Sequence, residues 1–402
     1  PVYDTETAQI FSTISPGAIG LMAAAVAYRV NGGSWSYQTL NLANHGGETD
    51  TYAGTLPAFA AGSTVDYYVY AVSYDLSSDF SATNSFTVDS STVYVKTTGT
   101  PQWPYDNWNR AFTNIQQAVN YVGAGCTIVV TNGTYSGYTL TVDKSITLTS
   151  VNGPASTIID GGNARRCASI TRAATLQGFT FANGFSTGSG GAVYLETGTL
   201  ASCIIRDSFS YNHGGGLNLV DGTVTDSVLY WNQAYYYGGG LIQRGGTLIN
   251  SIICENYSGY DGGGSEFWGG ECINCTFAYN EAGGYGGGFD HGGQGFAVNN
   301  IIYGNTASDG DNWYKWVDEG LYYSCTSPNP GDEGSFDADP LFADPNARDY
   351  HLKSQTGRFV ATGVWTLDAA TSPCIDTGYV PFDFSNEPTP NGRRINIGAY
   401  GN

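Results

Sequence analysis

Short alternating runs of apolar and polar residues dominate the chain, and between residues 190 and 288 they recur every 24 positions. Each block contains β-rich runs such as SVLYW and SIICE, without the spacing of an amphipathic helix. A four-stranded propeller blade needs roughly 40 residues or more, so it does not fit this repeat. The pattern therefore predicts one parallel β-helix coil per block, with three short strands and glycine corners. The corner glycines are Gly190, Gly214, Gly238, Gly262 and Gly286.

An asparagine follows the same period, at Asn232, Asn256 and Asn280, and Ser208 holds this phase one coil earlier. Coils that stack in register place like residues about 4.8 Å apart. Asparagine side chains at that spacing can hydrogen-bond to one another along the stack. We therefore expect an asparagine ladder along the axis of the coils.

The flanking patterns complete an all-β prediction. In residues 1–90, alternating runs such as AAVAYRV and the following Asn31-Gly32 turn predict hairpins of a β-sandwich. TNIQQAVNYV has one apolar helical face, so it predicts a short helix that covers the open first coil. The expected fold is a right-handed parallel β-helix with 24-residue coils and an N-terminal β-sandwich domain. The predicted domains are 1–90 for the sandwich and 91–402 for the β-helix, with an N-terminal cap at 91–125, glycine-box coils at 176–305 and a C-terminal cap at 306–402.

Charge and composition narrow the partners. The net charge is −20 with only 15 Lys and Arg residues, which argues against nucleic acid or an anionic membrane surface. No apolar run approaches 18 residues, so we expect no membrane insertion. Abundant glycine and tyrosine with few charged residues are typical of a secreted β protein. The sequence therefore favours an extracellular or bacterial cell-surface location.

The eight cysteines permit four disulfide bridges, but their connectivity does not follow from the sequence. Cys272 and Cys275 are three residues apart within the strand-rich repeat, with no second pair at zinc spacing. Buried thiols, or a bridge to a neighbouring coil, are favoured over a metal or redox role.

Stacking the 24-residue blocks predicts which side chains share a face of the coils. One outward column contains Tyr194, Asn218, Ile242, Glu266 and Asp290. A second column, two residues further on and on the same face, contains Glu196, Val220, Arg244, Trp268 and Gly292. The residues one position before the first column alternate with it and are expected to face the core: Val193, Leu217, Leu241, Ser265 and Phe289.

Glu266 and Asp290 are the candidate catalytic residues if the chain is an enzyme. Carboxylates on adjacent coils lie about 5 Å apart at Cα, a spacing that suits the acid and base of a glycosidase. The predicted substrate-binding residues are Arg244, Trp268, Tyr236 and His291. The alternative is a solvated polar face without chemistry.

A polysaccharide lyase is the less favoured enzyme class. Residues 176–303 carry ten acidic residues against two arginines and no lysine. β-Elimination from a uronic acid needs its carboxylate neutralised, and an acidic face opposes this. The chain also has no Ser-His-Asp elbow, P-loop or HExxH motif, so these chemistries are not predicted.

The corner segments also concentrate aromatic residues, including the run QAYYY at 233–237. Such a segment is too short and too rich in flanking glycine to bury three tyrosines. Exposed aromatic stripes mark sugar-stacking surfaces or protein interfaces, although packing between coils is an alternative. The partners considered are therefore other copies of the chain, as a homo-oligomer or filament, or a polysaccharide.

Several segments resemble known families. The order of STVYVKTTG, the helix, IVV-NGTY and SITLTS resembles the start of pectate-lyase-like β-helix proteins. GFTFANG with the following GGAV is similar to repeats of chlamydial polymorphic outer-membrane proteins, and YRVNGGSW with YAGTLPAFAAGSTVDYYVYA resembles bacterial immunoglobulin-like or fibronectin-like domains. DADPLFADPNARDYHLKS, SPCIDTG and GRRINIGAYG resemble the terminal segment of planctomycete-type surface proteins. These resemblances imply a capped, secreted β-helix and assign no catalytic residue.

Calcium is the one cofactor considered, because four aspartates cluster near the C-terminus and calcium favours clustered carboxylates. They are Asp337, Asp339, Asp344 and Asp349. Solvated turn carboxylates are the alternative interpretation. The sequence as a whole favours a structural, adhesive or self-assembling protein, with a carbohydrate-active enzyme, preferably a hydrolase of a neutral glycan, as the second interpretation and a glycan-binding module as the third.

Overall fold

The computed structural model describes residues 2–4, 6–15, 21–46, 49–361, 364–382 and 392–400. The chain divides into two compact units. The first contains Pro1–Thr113 and Tyr121–Thr127, and the second contains Asn114–Asn120 and Ile128–Asn402. The predicted domain boundary between residues 90 and 91 stays a prediction.

The N-terminal unit contains two β-sheets. One has the order β1-β9-β7-β3-β4 with β8 paired to β7, and the other has the order β2-β6-β5, with β10 outside both. Residues of both sheets share one hydrophobic core, in which Val26, Leu56, Val65 and Val88 are fully buried. The strands are β1 (Val2–Tyr3), β2 (Gln9–Ile14), β3 (Leu21–Val30), β4 (Ser36–Thr39), β5 (Asn41–His45), β6 (Asp50–Thr55), β7 (Thr64–Ser73), β8 (Ser78–Phe80), β9 (Asn84–Asp89) and β10 (Thr92–Val95).

The predicted turn after β3 is present. Asn31 and Gly32 both have positive φ, 49° and 72°, as a type I′ turn requires, and β3 pairs antiparallel with β4. This pairing shows the predicted hairpin at this position.

The second unit is a stack of short parallel strands, as the 24-residue repeat predicts. Its first strand, β11 (Thr127–Val130), begins at the boundary of the units. The following strands are β12 (Gly133–Ser136), β13 (Leu140–Val142), β14 (Thr147–Ser150), β15 (Thr157–Asp160), β16 (Ala168–Ile170), β17 (Thr175–Gln177), β18 (Thr180–Ala182), β19 (Phe185–Ser186), β20 (Val193–Leu195), β21 (Thr199–Ala201), β22 (Ile204–Arg206), β23 (Phe209–Ser210), β24 (Leu217–Leu219), β25 (Thr223–Thr225), β26 (Val228–Tyr230), β27 (Gln233–Ala234), β28 (Leu241–Gln243), β29 (Thr247–Ile249), β30 (Ile252–Cys254), β31 (Tyr257–Ser258), β32 (Ser265–Ile273), β33 (Thr276–Ala278), β34 (Glu281–Ala282), β35 (Phe289–Val298), β36 (Ile301–Tyr303), β37 (Trp313–Lys315), β38 (Leu321–Tyr322) and β39 (Cys325–Thr326).

Each glycine-box coil has four strand positions, one more than predicted. The extra position is the two-residue strand series β19-β23-β27-β31-β34, and a second series runs β12-β15-β18-β22-β26-β30-β33-β36-β39. The remaining two series, β13-β16-β20-β24-β28 and β14-β17-β21-β25-β29, both pair with β32, because β32 is long enough to continue both. The fold is therefore a parallel β-helix, as predicted.

Glycine at the predicted corner closes each coil. Gly190, Gly214, Gly238, Gly262 and Gly286 all have positive φ, between 59° and 77°, which side chains rarely adopt. The backbone N–H of each donates to a carbonyl of the next coil, as Gly214 does to Tyr237 and Gly238 does to Asp261. This uniform ladder confirms the predicted stacking.

The predicted asparagine ladder is also present, and it is buried. The side-chain amide of Asn232 donates to Asn256 Oδ1 at 3.0 Å, and that of Asn256 donates to Asn280 Oδ1 at 3.0 Å. Asn305 and Asn312 continue the ladder at 2.9 and 3.1 Å. Each of these five side chains is at most 8% exposed.

Small residues beside the ladder make room for it. A Cβ at Gly216 would lie 2.9 Å from Asn232 Cγ, and a Cβ at Gly240 would lie 3.0 Å from Asn256 Nδ2. The same restriction holds at Gly264 and Gly288 for the next two asparagines. One coil earlier the chain has alanine at residue 192 and serine at residue 208. The ladder thus stops where the facing residue first carries a Cβ.

A helix packs against the first coils of the second unit. α1 (Ile115–Tyr121) buries Ile115, Ala118 and Val119, the face that the sequence predicts. Lys144 Nζ donates to the carbonyl of Val119 at 3.0 Å, and Gln116 exchanges two hydrogen bonds with the backbone of Thr141. The helix therefore lies where the predicted capping helix is expected.

The coils continue beyond residue 305, where the sequence analysis expects the cap to begin. β37, β38 and β39 still pair in parallel with the preceding coil, so this part of the prediction is wrong. After residue 336 the strands form antiparallel pairs. The C-terminal elements are β40 (Phe342–Asp344), a 3₁₀ helix (Pro345–Ala347), β41 (Asp349–Leu352), β42 (Arg358–Ala361) and β43 (Val364–Thr366).

All eight cysteines are buried as free thiols, so the structure has no disulfide bridge among them. This agrees with the preference for buried thiols at Cys272 and Cys275. Among the described residues, no helix has the length and apolar character needed to cross a membrane.

Candidate active site

Strand register places the two predicted catalytic carboxyls side by side. Glu266 on β32 is the direct partner of Asp290 on β35, and Asn218 and Ile242 precede them in the same column. The column continues to Tyr314 on β37. Because side chains alternate along a strand, all five residues face away from the core. The predicted column is therefore correct.

Neither carboxyl is exposed to solvent, although both side chains point away from the core. Glu266 is 5% exposed and Asp290 is 1% exposed. The indole N–H of Trp268 donates to Glu266 Oε1, and the indole N–H of Trp316 donates to Asp290 Oδ1 at 3.1 Å. The alternative of a solvated polar face is wrong for these two residues, since aromatic side chains cover them.

The two carboxyl groups lie on directly paired residues of neighbouring strands and act on each other's pKa, and their environment favours a shared proton. Burial raises the pKa of both groups, and the neighbouring charge of Glu266 raises the pKa of Asp290 further. Glu266 Oε2 is buried and meets no N–H or O–H donor among the described residues. A proton held between the carboxyls would supply that donor, as in carboxyl pairs that cannot both ionise.

Glycine corners bring the coil edge close to this pair. A Cβ at Gly262 would lie 2.8 Å from Glu266 N, and a Cβ at Gly286 would lie 2.9 Å from Asp290 Cα. Both glycines have positive φ. Substitution at either corner would therefore push the backbone away from the carboxyl that it borders.

The residues before the last four corner glycines form what we call the corner row, consisting of His213, Tyr237, Asp261 and Tyr285. The His213 ring stacks on Tyr237 with centroids 5.1 Å apart. Asp261 accepts the backbone N–H of Tyr285 at 2.9 Å, while burial raises the pKa of its carboxyl. Its charge acts on both members of the pair, so Asp261 is a third carboxyl of the same site.

The opposite border is the strand-end row, consisting of Arg244, Trp268 and Trp316. Arg244 lies over the Trp268 ring, 4.6 Å from its centroid. Trp268 is 40% exposed, so one part of the indole holds Glu266 and another meets solvent. The charge of Arg244 also acts on Glu266, where it lowers the carboxyl pKa against the effect of burial.

Tyr236 lies beside the corner row and is 40% exposed. Its ring is 6.0 Å from His213 and 5.5 Å from Tyr260. The structure thus brings together five of the six predicted site residues, while the role of each stays a prediction.

His291 does not fit its predicted role. Its side chain is fully buried and lies between Phe267 at 5.0 Å and Phe289 at 5.8 Å, on the core side of the strand. Burial lowers its pKa to about 4, so the ring is neutral. The reason is the strand alternation itself, because a neighbour of outward-facing Asp290 must point inward.

The four aspartates that prompted the calcium hypothesis lie near the C-terminus, and the hypothesis stays a prediction. Among the described residues, no three His, Cys, Asp or Glu side chains come together as a metal site. Asp337 accepts a hydrogen bond from Ser327, Asp339 from the backbone of residue 341, and Asp349 bridges to His351 and Arg358. These are the local interactions expected of turn carboxylates.

Sequence reasoning missed four residues of this site: His213, Tyr237, Asp261 and Trp316. The first three share the 24-residue period, so a column drawn one position before each corner glycine would have shown them. Trp316 is two blocks after Trp268, but the sequence analysis ends the coils before it. A bulge in β35 also shifts the register after His291.

Comparisons with known proteins give limited matches. A family profile described as Disaggregatase related matches residues 288–378, which include Asp290 and Trp316 but not Glu266. No curated protein matches the chain. Among solved structures, the pectate lyase Pel9A is similar at 14% identity, over 77% of this chain and 95% of that chain, with a TM-score of 0.43. The resemblances to immunoglobulin-like domains, polymorphic outer-membrane repeats and planctomycete-type proteins find no support in these comparisons.

Proposed function

We propose that the chain is a carbohydrate-active enzyme that hydrolyses a neutral glycan at Glu266 and Asp290. The observation that carries this proposal is the contact between two buried carboxyls whose pKa values are both raised, inside a border of exposed aromatic rings. A raised pKa makes the ionised member of such a pair a stronger base, and glycoside hydrolysis requires a base that takes a proton from water. Aromatic faces beside such a pair are suited to the apolar faces of sugars.

The pair acts as one unit in this proposal. The two catalytic carboxyls are about 5–5.5 Å apart in retaining glycosidases and about 6.5–9.5 Å apart in inverting ones. Glu266 and Asp290 are direct partners on strands about 4.8 Å apart, on the same face, and each acts on the pKa of the other. We therefore assign the two carboxyls one shared role on one side of the glycosidic bond. Asp261, in the corner row, is the remaining carboxyl for the second role.

The proposed reaction uses all three carboxyls. The ionised member of the pair takes a proton from water, whose oxygen attacks the anomeric carbon and forms the new C–O bond. The glycosidic C–O bond breaks, and its oxygen takes the proton held by Asp261. Burial raises the pKa of Asp261, which favours its protonated form before the reaction. Attack by water opposite the leaving group predicts inversion at the anomeric carbon.

The charge of the site supports a neutral substrate. Three carboxyls border the proposed reacting position, and the charge of Arg244 acts on Glu266. The ionised member of the pair carries a negative charge until it takes the proton from water, so it would repel an ionised uronic acid at this position. This argues for hydrolysis of a neutral glycan over elimination from a uronate.

The family match is compatible with this proposal. It covers Asp290 and Trp316, so part of the site falls inside the segment that matches the Disaggregatase related family. A glycan hydrolase that acts outside the cell would provide an activity on aggregated material. We therefore also propose an extracellular or cell-surface location, with polysaccharide as the partner.

A structural, adhesive or self-assembling role is the second candidate. Tyr211, Tyr235 and Tyr260 are each about half exposed at the coil corners. Their burial against another copy of the chain would release apolar area from water at about 25 cal/mol per Å². Sedimentation across micromolar concentrations tests it, because a strictly monomeric particle rules out self-assembly.

The enzyme proposal is tested by incubation with soluble neutral polysaccharides, namely xylan, mannan, galactan and mixed-linkage β-glucan. Released reducing ends are measured for the wild type and for Glu266→Gln, Asp290→Asn and Asp261→Asn. We expect each substitution to lower kcat by at least a hundredfold, since each removes an acid or base. The proposal would be refuted if the Asp290→Asn variant still hydrolyses the substrate, or if the wild type hydrolyses none of the four polymers.

A further inference from the structure

Two polar atoms lie buried without a partner close to the candidate active site. Asn218 is 4% exposed, and its Oδ1 meets no donor within the described part of the chain. The Nδ1 atom of His213 is equally without a partner there. A buried polar atom without a hydrogen bond costs about 1–3 kcal/mol, so two such atoms need a physical reason.

These atoms belong to one coil, on either side of the corner at Gly214. The corner of the preceding coil touches both residues, because Gly190 N–H donates to the His213 carbonyl at 2.9 Å and a Cβ at Gly190 would lie 3.1 Å from Asn218 Cβ. Asn218 is two coils before Glu266 in the outward column. Two strand spacings are about 10 Å, so Asn218 and Glu266 are separated by roughly the length of a short saccharide.

Aromatic and cationic groups border the same place. His213 stacks on Tyr237 and lies 6.3 Å from Trp268, so it bridges the corner row and the strand-end row. Arg244 belongs to the strand-end row, and its guanidinium lies over the Trp268 ring. Ligand sites typically combine such apolar faces with a few polar groups that fix orientation.

The chemistry of the two atoms specifies the ligand. An amide oxygen only accepts hydrogen bonds, so the group that meets Asn218 Oδ1 must donate one. Burial and the charge of Arg244 both lower the pKa of His213, which keeps its ring neutral and able to pair with a hydroxyl. A carboxylate offers no donor and meets the charges of the nearby acids, whereas a sugar hydroxyl both donates and accepts.

We infer that Asn218 and His213 form a hydroxyl-recognition subsite that selects neutral, hydroxyl-rich glycans and extends the binding site two coils from the carboxyl pair. This inference rests on the proposed function and names specificity-determining residues for it. The glycan would lie along the coil axis, with one sugar at Asn218 and a later one at Glu266. Neither residue takes part in bond cleavage.

Affinity electrophoresis tests the subsite without a need for turnover. The wild type and the Asn218→Ala and His213→Ala variants are run through native gels that contain xylan, mannan, galactan or mixed-linkage β-glucan, with polygalacturonate as the charged comparison. Asn274→Ala is the matched control, because Asn274 Oδ1 is also buried and unpartnered but lies between β32 and β33. We expect retardation of the wild type by a neutral polymer, about tenfold weaker affinity for each subsite variant and no loss for the control.

The results separate the subsite from the proposed function. Hydrolysis that is lost in Asp290→Asn, together with unchanged retardation of Asn218→Ala and His213→Ala, would overturn the subsite and leave the proposed function standing. Retardation by polygalacturonate in place of the neutral polymers would overturn the substrate class. On the hydrolysed polymer, the subsite variants should raise KM about tenfold with kcat changed less than threefold, and a loss confined to kcat would contradict a binding role. No retardation of the wild type by any polymer would overturn the subsite as well.

Discussion

Replacement of Asn256 by alanine should weaken the coils strongly, because this side chain is the centre of the buried ladder. Its amide donates to the carbonyls of Leu229 and Cys254 at 3.0 and 2.9 Å and to Asn280 Oδ1 at 3.0 Å. Its Oδ1 accepts both the backbone N–H and the side-chain amide of Asn232 at 3.0 Å. One substitution therefore removes five buried hydrogen bonds.

The magnitude follows from what the substitution leaves unpaired. Each hydrogen bond contributes about 1 kcal/mol net, and a buried N–H without an acceptor, here that of Asn232, costs about 1–3 kcal/mol. Partial relaxation offsets some of this, so we expect a loss of about 3–5 kcal/mol in the free energy of opening the coils. Asn152→Ala is the control, since it removes a single exposed hydrogen bond to Asn132 and should cost below about 0.5 kcal/mol.

Native-state hydrogen exchange measured by mass spectrometry reports this free energy locally, for peptides that span β26 and β30. Exchange in these peptides should accelerate at least a hundredfold in Asn256→Ala and remain unchanged in the control. A loss below about 1 kcal/mol in the ladder peptides would refute the reasoning that the ladder stabilises the stack.

Three further predictions concern the start of the asparagine ladder, the ion pair of Arg348 and the buried carboxyl pair. Ser208→Asn should extend the ladder only when Ala192→Gly removes the facing Cβ, so a thermal double-mutant cycle should show positive coupling of about 1 kcal/mol, and additive effects would contradict the facing-residue rule. Arg348→Ala removes an ion pair with Glu255 at 2.6 Å and stacking on Trp231, so the free energy of unfolding should fall by about 1–3 kcal/mol in denaturant, with Arg348→Lys in between. The free energy of unfolding should fall as pH rises above about 4, because carboxyls of the unfolded chain lose protons there that the buried pair still holds. Asp290→Asn should make this pH dependence weaker in denaturant titrations. Equal pH slopes for the wild type and the variant would contradict the prediction.

Much of the coil geometry was predictable because the period is strict. A constant spacing of 24 residues fixes which residues stack, so the corner glycines, the asparagine ladder and the pairing of Glu266 with Asp290 follow from counting. The inward position of His291 was also available from strand alternation, since its neighbour Asp290 faces outward.

The burial of the carboxyl pair was not predictable in this way. It depends on how far Trp268 and Trp316 reach across neighbouring coils, and side-chain reach is not contained in a one-dimensional repeat. Trp316 keeps the period, two blocks after Trp268, but it lies beyond residue 305, where the sequence analysis ends the glycine-box coils. Period counting therefore reaches Trp316 only when the coils are extended past residue 305.

The central claim is that Glu266 and Asp290 share a proton near neutral pH. Infrared difference spectroscopy at pH 7 tests it most directly, by comparison of the wild type with the double variant Glu266→Gln and Asp290→Asn. We predict that the wild type shows the carbonyl stretch of one protonated carboxylic acid and that this band is absent from the double variant. Identical spectra in the carboxylic acid region would mean that both groups are ionised, and they would contradict the account.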